Sequence, residues 1–295
     1  MRRSAADANE DALLTEFLEW ATSFIDWYKN RRFDVRRDTL SFDIPESSIQ
    51  RAMGNYDQFS NIAILQSQKQ KPLVLDEDLL EVVEFLNGST EAIDWYVLNP
   101  GRTFPKSSIR LTNGVFWIES EVNGVYQAID ITGFWGYVPD YNSEAFVDSL
   151  NVINDNPLLI GAITMNVNDF SGAAADGKSP RFQVGQLLRF KLGAVVEFVK
   201  VLSIVDGATD TIGIQRGVNG TTAVQWAQNT KIEIFRVWGP IHQSALRLAQ
   251  WRYAQKDSNS FDKTYMLGAG MMSIPPAIPT DVLASLGARG KARVL

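Results

Sequence analysis

The stretch GPIHQSALRLAQWRYAQK, residues 239–256, organises the rest of this chain. A glycine followed by a proline marks a helix start, because proline at the first helical position loses no hydrogen bond that the helix needs. Apolar residues then recur every three or four positions, at Ile241, Ala245, Leu248 and Ala249. This spacing predicts a late helix from Pro240 to about residue 256 with one buried stripe.

The segment after this helix has a different composition. Prolines fix the backbone and remove hydrogen-bond donors, so the prolines near residue 276 predict an extended tail over residues 263–295. An extended, apolar and basic tail has little to bury against within its own chain. We therefore expect it to dock on another subunit or another protein. The residues expected to make that contact are Ile274, Pro275, Pro276, Ile278, Pro279, Val282, Leu283, Leu286, Arg289, Lys291 and Arg293.

A second amphipathic helix is predicted near the N-terminus, over about residues 9–30. Its apolar stripe consists of Leu14, Phe17, Leu18, Ala21, Phe24, Ile25 and Tyr28. We expect this stripe to pack against the late helix. The helix is followed by the charged run 31–37, for which two interpretations stay open. It is either a solvated cluster favoured at a helix C-terminus, or a basic edge facing a subunit or DNA, formed by Arg31, Arg32, Arg36 and Arg37.

From Thr39 onward the hydrophobic period changes to two, since Leu40, Phe42 and Ile44 alternate with polar residues, as in a half-buried strand. Further strands are predicted at 61–65, 79–86, 93–98, 109–112, 115–118 and 125–132. Asn-Gly pairs at 87–88, 113–114 and 123–124 are typical of hairpin turns between such strands. A second, small β unit is predicted from alternation at 158–167, 188–192, 198–205, 211–215 and 231–236.

These elements predict an α+β protein with N- and C-terminal helices packed together around inserted antiparallel β domains, followed by an extended C-terminal tail. The predicted segments are an N-terminal helix at 1–38, an antiparallel β domain at 39–138, a linker at 139–157, a small β unit at 158–237, the late helix at 238–262 and the tail at 263–295.

The composition argues against an enzyme. The 295 residues contain no cysteine and one histidine, so thiol nucleophiles are absent and any zinc site or Ser-His-Asp triad would need His242. No arrangement of acid, base and nucleophile is recognisable, and we expect neither a cofactor nor a bound metal. No targeting segment or membrane-length apolar run is visible. The formal net charge of −6 is unlike that of a general DNA-binding protein.

Several stretches occur in one order along the chain: IDWY at 25–28 leading to RRF at 31–33, DTLSFD at 38–43, YVLNP at 96–100, ITGFWGY at 131–137, Glu197 with RGVNGTTA at 216–223, WRY at 251–253 and IPTDVL at 278–283. Their succession resembles the head–tail connector (adaptor) proteins of tailed bacteriophages. Two features differ from that family: the chain is long, and Gln225-Trp226 stands where a histidine is usual.

The resemblance implies a homo-oligomeric ring, dodecameric in most members, that docks beneath the portal protein and above the next neck or tail protein. Its helices would form the ring body and its tail would insert into the portal. DNA would pass through the lumen with transient, non-specific contacts. The location would be the neck of the virion, assembled in the host cytoplasm and without membrane contact.

Two other functions remain open from the sequence. A baseplate or tail-completion protein could share the RGVNGT stretch and make its contacts through the β domains. A carbohydrate-binding β module could use an aromatic platform, for which an exposed row of side chains is required. The candidate residues for that platform are Trp95, Trp117, Trp135 and Tyr137.

Overall fold

The computed structural model describes residues 8–45, 72–88, 90–91, 96–98, 105–112, 117–139, 141, 145–207, 210–256, 265–267, 270–272 and 278–287. The protein mixes helix and sheet, and its described elements include three helices and two antiparallel six-stranded sheets. The chain divides into two compact units. One consists of Met1–Phe33 with Val237–Leu295, and the other of Asp34–Arg236. We call them the helical unit and the β unit.

The helical unit contains α1 at Ala8–Lys29, α2 at Gly239–Gln255 and α3 at Thr280–Leu286. The first two helices confirm the sequence predictions to within a residue or two at each end. Between α2 and α3, β13 at Tyr265–Leu267 pairs with β14 at Gly270–Met272. The prediction of an extended tail is therefore wrong at 280–286, which is helical, and at the short hairpin.

The ends of helix α3 carry residue types that are typical of helix ends, although the prolines before it favour an extended segment. The carbonyl of Pro279 accepts the amide N–H of Val282, and Asp281 lies in the first turn, where a carboxylate favours the helix dipole. Gly287 follows the helix at φ 70°, a conformation that glycine adopts without steric cost. A proline before and a glycine after a Leu- and Ala-containing run thus indicate a helix rather than an extended segment.

The first sheet of the β unit has the strand order β1-β6-β2-β5-β4, with β3 paired to the end of β2. The strands are β1 Arg36–Phe42, β2 Leu73–Asn87, β3 Thr90–Glu91, β4 Tyr96–Leu98, β5 Lys106–Leu111 and β6 Ile129–Trp135. The alternation predicted around Leu40 is confirmed: Phe42 and Ile44 are buried, whereas Ser41 and Asp43 are exposed. The strand predicted at 79–86 is also confirmed, within a much longer β2.

Several predictions in this first sheet need correction. Asn87 belongs to the strand rather than to the predicted turn: it pairs with Thr90 as the last residue of β2, and the positive φ begins at Gly88. Asn123-Gly124 closes only a tight loop, bridged by Ser120 and Gly124, rather than joining two strands. Residues 117–118 are not strand, and β6 begins at Ile129 instead of 125. The strand predicted at 61–65 and the Asn-Gly pair at 113–114 lie outside the described residues.

The second sheet has the order β7-β12-β9-β10-β11-β8, with neighbouring strands antiparallel. The strands are β7 Phe146–Val152, β8 Thr164–Val167, β9 Leu187–Leu192, β10 Val195–Val205, β11 Asp210–Val218 and β12 Lys231–Phe235. Three of the predicted strands are confirmed as β9, β10 and β12, and β11 runs a few residues past the predicted end at 215. The strand predicted at 158–167 is only β8, and the predicted linker 139–157 contains β7.

Polar side chains explain why β7 escapes sequence prediction. Ser149 and Asn151 are buried, which breaks the apolar alternation that normally indicates a strand. Their polar groups are satisfied locally: Asn151 donates through Nδ2 to the carbonyl of Asp169 at 2.7 Å, and its Oδ1 accepts the Val152 N–H at 2.9 Å. A strand edge built this way buries hydrogen-bonded side chains instead of apolar ones.

Aromatic residues join the two sheets of the β unit. Phe198 of β10 is fully buried, with its ring 5.7 Å from that of Phe134 in the first sheet and 6.0 Å from that of Phe146 in the second. Both are ordinary separations for favourable aromatic pairs. Val35, Leu80, Val138, Tyr141 and Ala145 complete this shared core. Each sheet also has a core of its own on another face.

Candidate assembly surfaces

The first surface is the contact between α1 and α2. The Trp20 and Trp251 rings lie 6.2 Å apart, and the Arg252 guanidinium lies 5.4 Å from the Trp20 ring centre. At the other end of the contact, the Tyr253 hydroxyl donates to Glu10 at 3.1 Å and the Lys256 ammonium donates to the same carboxylate at 2.9 Å. A tilted aromatic pair and charge-assisted hydrogen bonds thus hold α1 to α2.

The residues predicted to pack in the helices occupy different depths. The four α2 positions, Ile241, Ala245, Leu248 and Ala249, are buried. On α1, Ala21 and Ile25 are buried, whereas Leu14, Phe17, Phe24 and Tyr28 are half-buried. Leu18 is 39% exposed, so the described part of the chain does not bury it. The stripe of α1 is wider than the surface that the described part of the chain covers.

The second surface seats α3. Val282 and Leu286 are buried, one helical turn apart, and Leu283 is half-buried. The Ser285 and Ser244 hydroxyl oxygens lie 2.9 Å apart, and Arg247 of α2 pairs with Asp281.

Lys29 of α1 completes the α3 seat, because its ammonium donates to the carbonyl of Leu286 at 2.7 Å. Burial and the neighbouring Arg31 charge lower the pKa of Lys29. A cation at this position also complements the C-terminal end of the α3 dipole.

The predicted contact residues of the tail therefore do not share one environment. Val282 and Leu286 are buried in their own chain, which corrects the expectation that the tail finds no partner there. Ile278 and Pro279 are half-buried just before α3. The remaining predicted contact residues, Ile274, Pro275, Pro276, Arg289, Lys291 and Arg293, lie outside the described residues.

The predicted basic edge is divided between the two units. Arg31 and Arg32 end the N-terminal part of the helical unit, whereas Arg36 and Arg37 lie on β1. The Arg36 guanidinium donates to Glu77 at 2.6 Å and lies 3.4 Å from Asp38. Because its charge is compensated by carboxylates, Arg36 is poorly suited to contact DNA phosphates. The edge predicted from the charge run is therefore not a uniform positive surface.

A third feature is a buried ionic centre in the second sheet. Glu197 is fully buried in β10, and its carboxylate accepts hydrogen bonds from Arg216 Nε at 2.5 Å and Nη2 at 2.8 Å. It also accepts the Trp226 indole N–H at 2.6 Å and, at 3.2 Å each, the backbone N–H groups of Gly217 and Val224. The arginine also donates to the carbonyl of Leu159 at 2.9 Å. One buried carboxylate therefore fixes the whole loop from 216 to 226.

In the sequence, Glu197 and the RGVNGTTA stretch stand out only through the resemblance, without this structural role. The usable signal is a lone carboxylate in the apolar run Val195–Val199, because a charge buried in a strand requires a partner. Trp226 supplies one of the donors to it.

The tip of the same loop reaches β1. Asn219 donates through Nδ2 to the carbonyl of Val35 at 2.8 Å, and its own carbonyl accepts the N–H of Arg37 at 2.8 Å. Asn219 and Gly220 have positive φ values of 51° and 77°. The N–H of Phe198 donates to the Thr221 hydroxyl at 2.9 Å, and that hydroxyl donates to the carbonyl of Val218 at 2.8 Å. Of the polar residues of the RGVNGT stretch, Asn219 therefore connects the loop to β1, whereas Arg216 and Thr221 hold the loop to its own sheet.

We expect Gly220→Ala to destabilise the β unit more than Gly193→Ala does. A Cβ at Gly220 would overlap the carbonyl oxygen of Arg37, in addition to the strain of a non-glycine residue at positive φ. Gly193 has φ 59° with open space where a Cβ would stand, so the control substitution carries backbone strain alone. The backbone strain of a non-glycine residue at positive φ lowers the free energy of unfolding by about 1–2 kcal/mol. Urea denaturation should show a larger decrease in the free energy of unfolding for Gly220→Ala than for Gly193→Ala. Equal decreases would contradict the contact with β1.

Aromatic exposure argues against a carbohydrate platform. Trp117 and Trp135 are buried and Tyr137 is half-buried, while Trp95 lies outside the described residues. The Trp135 indole N–H donates to the carbonyl of Asp38 at 3.0 Å, so this ring serves the interior of the first sheet. His242 is exposed on α2. Within the described residues, no cluster of His, Asp or Glu could hold a metal ion, and no helix is long and apolar enough to cross a membrane.

Comparison with protein-family models, curated proteins and solved structures finds no match for this chain.

Proposed function

We propose that this chain is a structural subunit of the neck of a tailed bacteriophage: a ring adaptor that docks beneath the portal protein and links head to tail. The observation that carries the proposal is the pairing of α1 with α2. These helices come from opposite ends of the chain, and the whole β unit is inserted between them in sequence. This is the arrangement that the resemblance to connector proteins implies.

The exposed side of the helical unit supports self-association. Trp27 is 66% exposed and Leu18 is 39% exposed on α1, beside the half-buried Phe24. The Trp27 and Phe24 rings lie 5.9 Å apart, so they form a continuous aromatic surface. Surface aromatics of this kind are enriched where proteins contact one another. In the proposed ring, this surface of α1 meets a neighbouring subunit.

The charge of the chain suits a ring around DNA. With a net charge of −6, a ring would repel rather than grip the phosphate backbone, because tight binding needs clustered cations and counterion release. DNA could then pass with only transient contacts. The basic C-terminal residues would instead meet acidic portal surface, where complementary charges accelerate association.

A baseplate or tail-completion subunit is the second candidate function. The observation that favours it is the rigid Glu197 loop, whose hydrogen bonds would suit any assembly that uses the β unit for its contacts. The two functions differ in the particle to which the free protein binds. The adaptor binds particles that carry only a portal, whereas the alternative binds tail structures lacking this component.

The test is cosedimentation of the purified chain with portal-only particles. We expect the full chain to bind and the charge-reversed tail, Arg289→Glu with Lys291→Glu and Arg293→Glu, to bind about tenfold more weakly at low salt. A control with Lys191→Glu, Lys200→Glu and Arg110→Glu changes the net charge equally at exposed positions of the β unit. It should bind like the parent chain. Binding to isolated tails but not to portal particles would overturn the adaptor proposal in favour of the alternative.

A further inference from the structure

The seat of α3 is a small, mostly polar contact. Among the described residues of α3, Val282 and Leu286 are the buried apolar side chains, and Leu283 is half-buried. The polar contacts that the described residues make there include the Ser244–Ser285 hydroxyl pair, the Arg247–Asp281 ion pair, which is 58% exposed on both sides, and the Lys29 hydrogen bond to the Leu286 carbonyl. A contact of this size and polarity can dissociate and form again without unfolding the rest of the helical unit.

Helix α3 depends on that seat for its existence. It has seven residues, and isolated helices shorter than about 12–15 residues are marginal in water. To stay helical, α3 must therefore bury Val282 and Leu286 on a surface that also offers partners for Asp281, Ser285 and the Leu286 carbonyl. The surface on α1 and α2 supplies those partners, and every copy of the chain carries it.

The connection between α2 and α3 is long enough to reach another copy. Residues 257–279 separate the two helices. With the β13–β14 hairpin intact, the residues outside it, 257–264 and 273–279, span on the order of 50 Å when fully extended. Exchange of an identical element between protomers conserves all of its contacts, so it costs little free energy. Tethered neighbours also present the seat at an effective concentration in the millimolar range.

We propose that the α1–α2 surface that seats α3 receives the α3 helix of a neighbouring copy when subunits assemble. In a closed ring each subunit gives its helix to one neighbour and receives one from the other, so no seat is left empty. The exchange would link the ring without adding a new interface. This inference deepens the proposed function and rests on it, because it requires several copies side by side.

The cysteine-free sequence permits a direct test. The Ser244 and Ser285 hydroxyl oxygens are 2.9 Å apart, so cysteines at both positions lie within reach of a disulfide bond. One preparation carries Ser244→Cys alone and another carries Ser285→Cys alone. A 244–285 disulfide in their mixture can form only between two chains. The mixture is assembled, oxidised and analysed by non-reducing gel and by mass spectrometry of peptides.

We expect 244–285 disulfides between chains in the assembled mixture, about tenfold more abundant than 244–244 or 285–285 disulfides, which report random collision. The double variant Ser244→Cys with Ser285→Cys should give an intramolecular bond when dilute and a ladder of covalent oligomers when assembled. If the assembled double variant gives only intramolecular bonds, or the mixture gives no 244–285 excess, exchange is overturned. Binding to portal particles is a separate readout, so failure of the exchange and failure of the adaptor function are distinguishable.

Discussion

Replacing Glu197 with alanine is expected to lower the free energy of unfolding of the β unit by about 3–5 kcal/mol, because it leaves the Arg216 guanidinium buried without its counterion. The arginine side chain is only 6% exposed and the glutamate 0%. The substitution also removes the acceptor for the Trp226 indole and for two backbone N–H groups of the loop. Urea denaturation monitored by tryptophan fluorescence measures this decrease in the free energy of unfolding.

Glu233→Ala provides the matched control. Glu233 pairs with Arg189 at 2.7 Å on neighbouring strands of the same sheet, but its side chain is 27% exposed. The remaining Arg189 side chain is 12% exposed and keeps its contact over the Phe146 ring, so we expect a smaller loss than for Glu197→Ala, about 1.5–3 kcal/mol. Restoring most of the stability by adding Arg216→Met to Glu197→Ala would show that the buried charge causes the loss. A cost below about 1 kcal/mol for Glu197→Ala would contradict the role assigned to this centre.

Phe198→Ala is expected to cost about 3–5 kcal/mol and to weaken the attachment of the first sheet to the second. The ring contacts Phe134 of one sheet and Phe146 of the other, so its loss opens a cavity in the core that joins them. The backbone amides of β1 and β6 should exchange their hydrogens faster than in the parent chain, because these strands belong to the first sheet.

Leu202→Ala on the same strand is the control for Phe198→Ala. Leu202 is 52% exposed, so its truncation removes little buried surface and should change stability by about 0.5 kcal/mol or less. If Phe198→Ala leaves exchange in β1 and β6 at the parental rate, the aromatic core is not what couples the two sheets.

Regular periodicity makes α1, α2 and most strands predictable from sequence. The stripe from Leu14 to Tyr28 and the one from Ile241 to Ala249 repeat over several turns, and long periodic runs carry the strongest local signal. Strand β2 is also predictable at 79–86, but its first residues from Leu73 are not. The acidic residues Asp76 and Asp78 interrupt the apolar pattern there, although Asp78 is itself buried.

The errors share a cause: tertiary contacts that a local pattern does not contain. Helix α3 has too few residues to show a period, and it exists because α1 and α2 cover Val282 and Leu286. The charge of Arg36 is compensated by Glu77, which lies 41 positions away in the sequence. For Glu197 the apolar run around it indicates that the carboxylate needs a partner, but not which one, since its partners come from a separate strand and loop.

The measurement that tests the adaptor proposal most directly is native mass spectrometry of the full chain mixed with a purified portal ring. The proposal predicts one discrete complex, in which a closed ring of this chain is bound to one portal. The same mixture with the chain truncated before residue 263 should yield the unbound portal or a much weaker complex. The proposal would be contradicted if the full-length chain stayed monomeric and the portal stayed unbound at concentrations at which particles assemble.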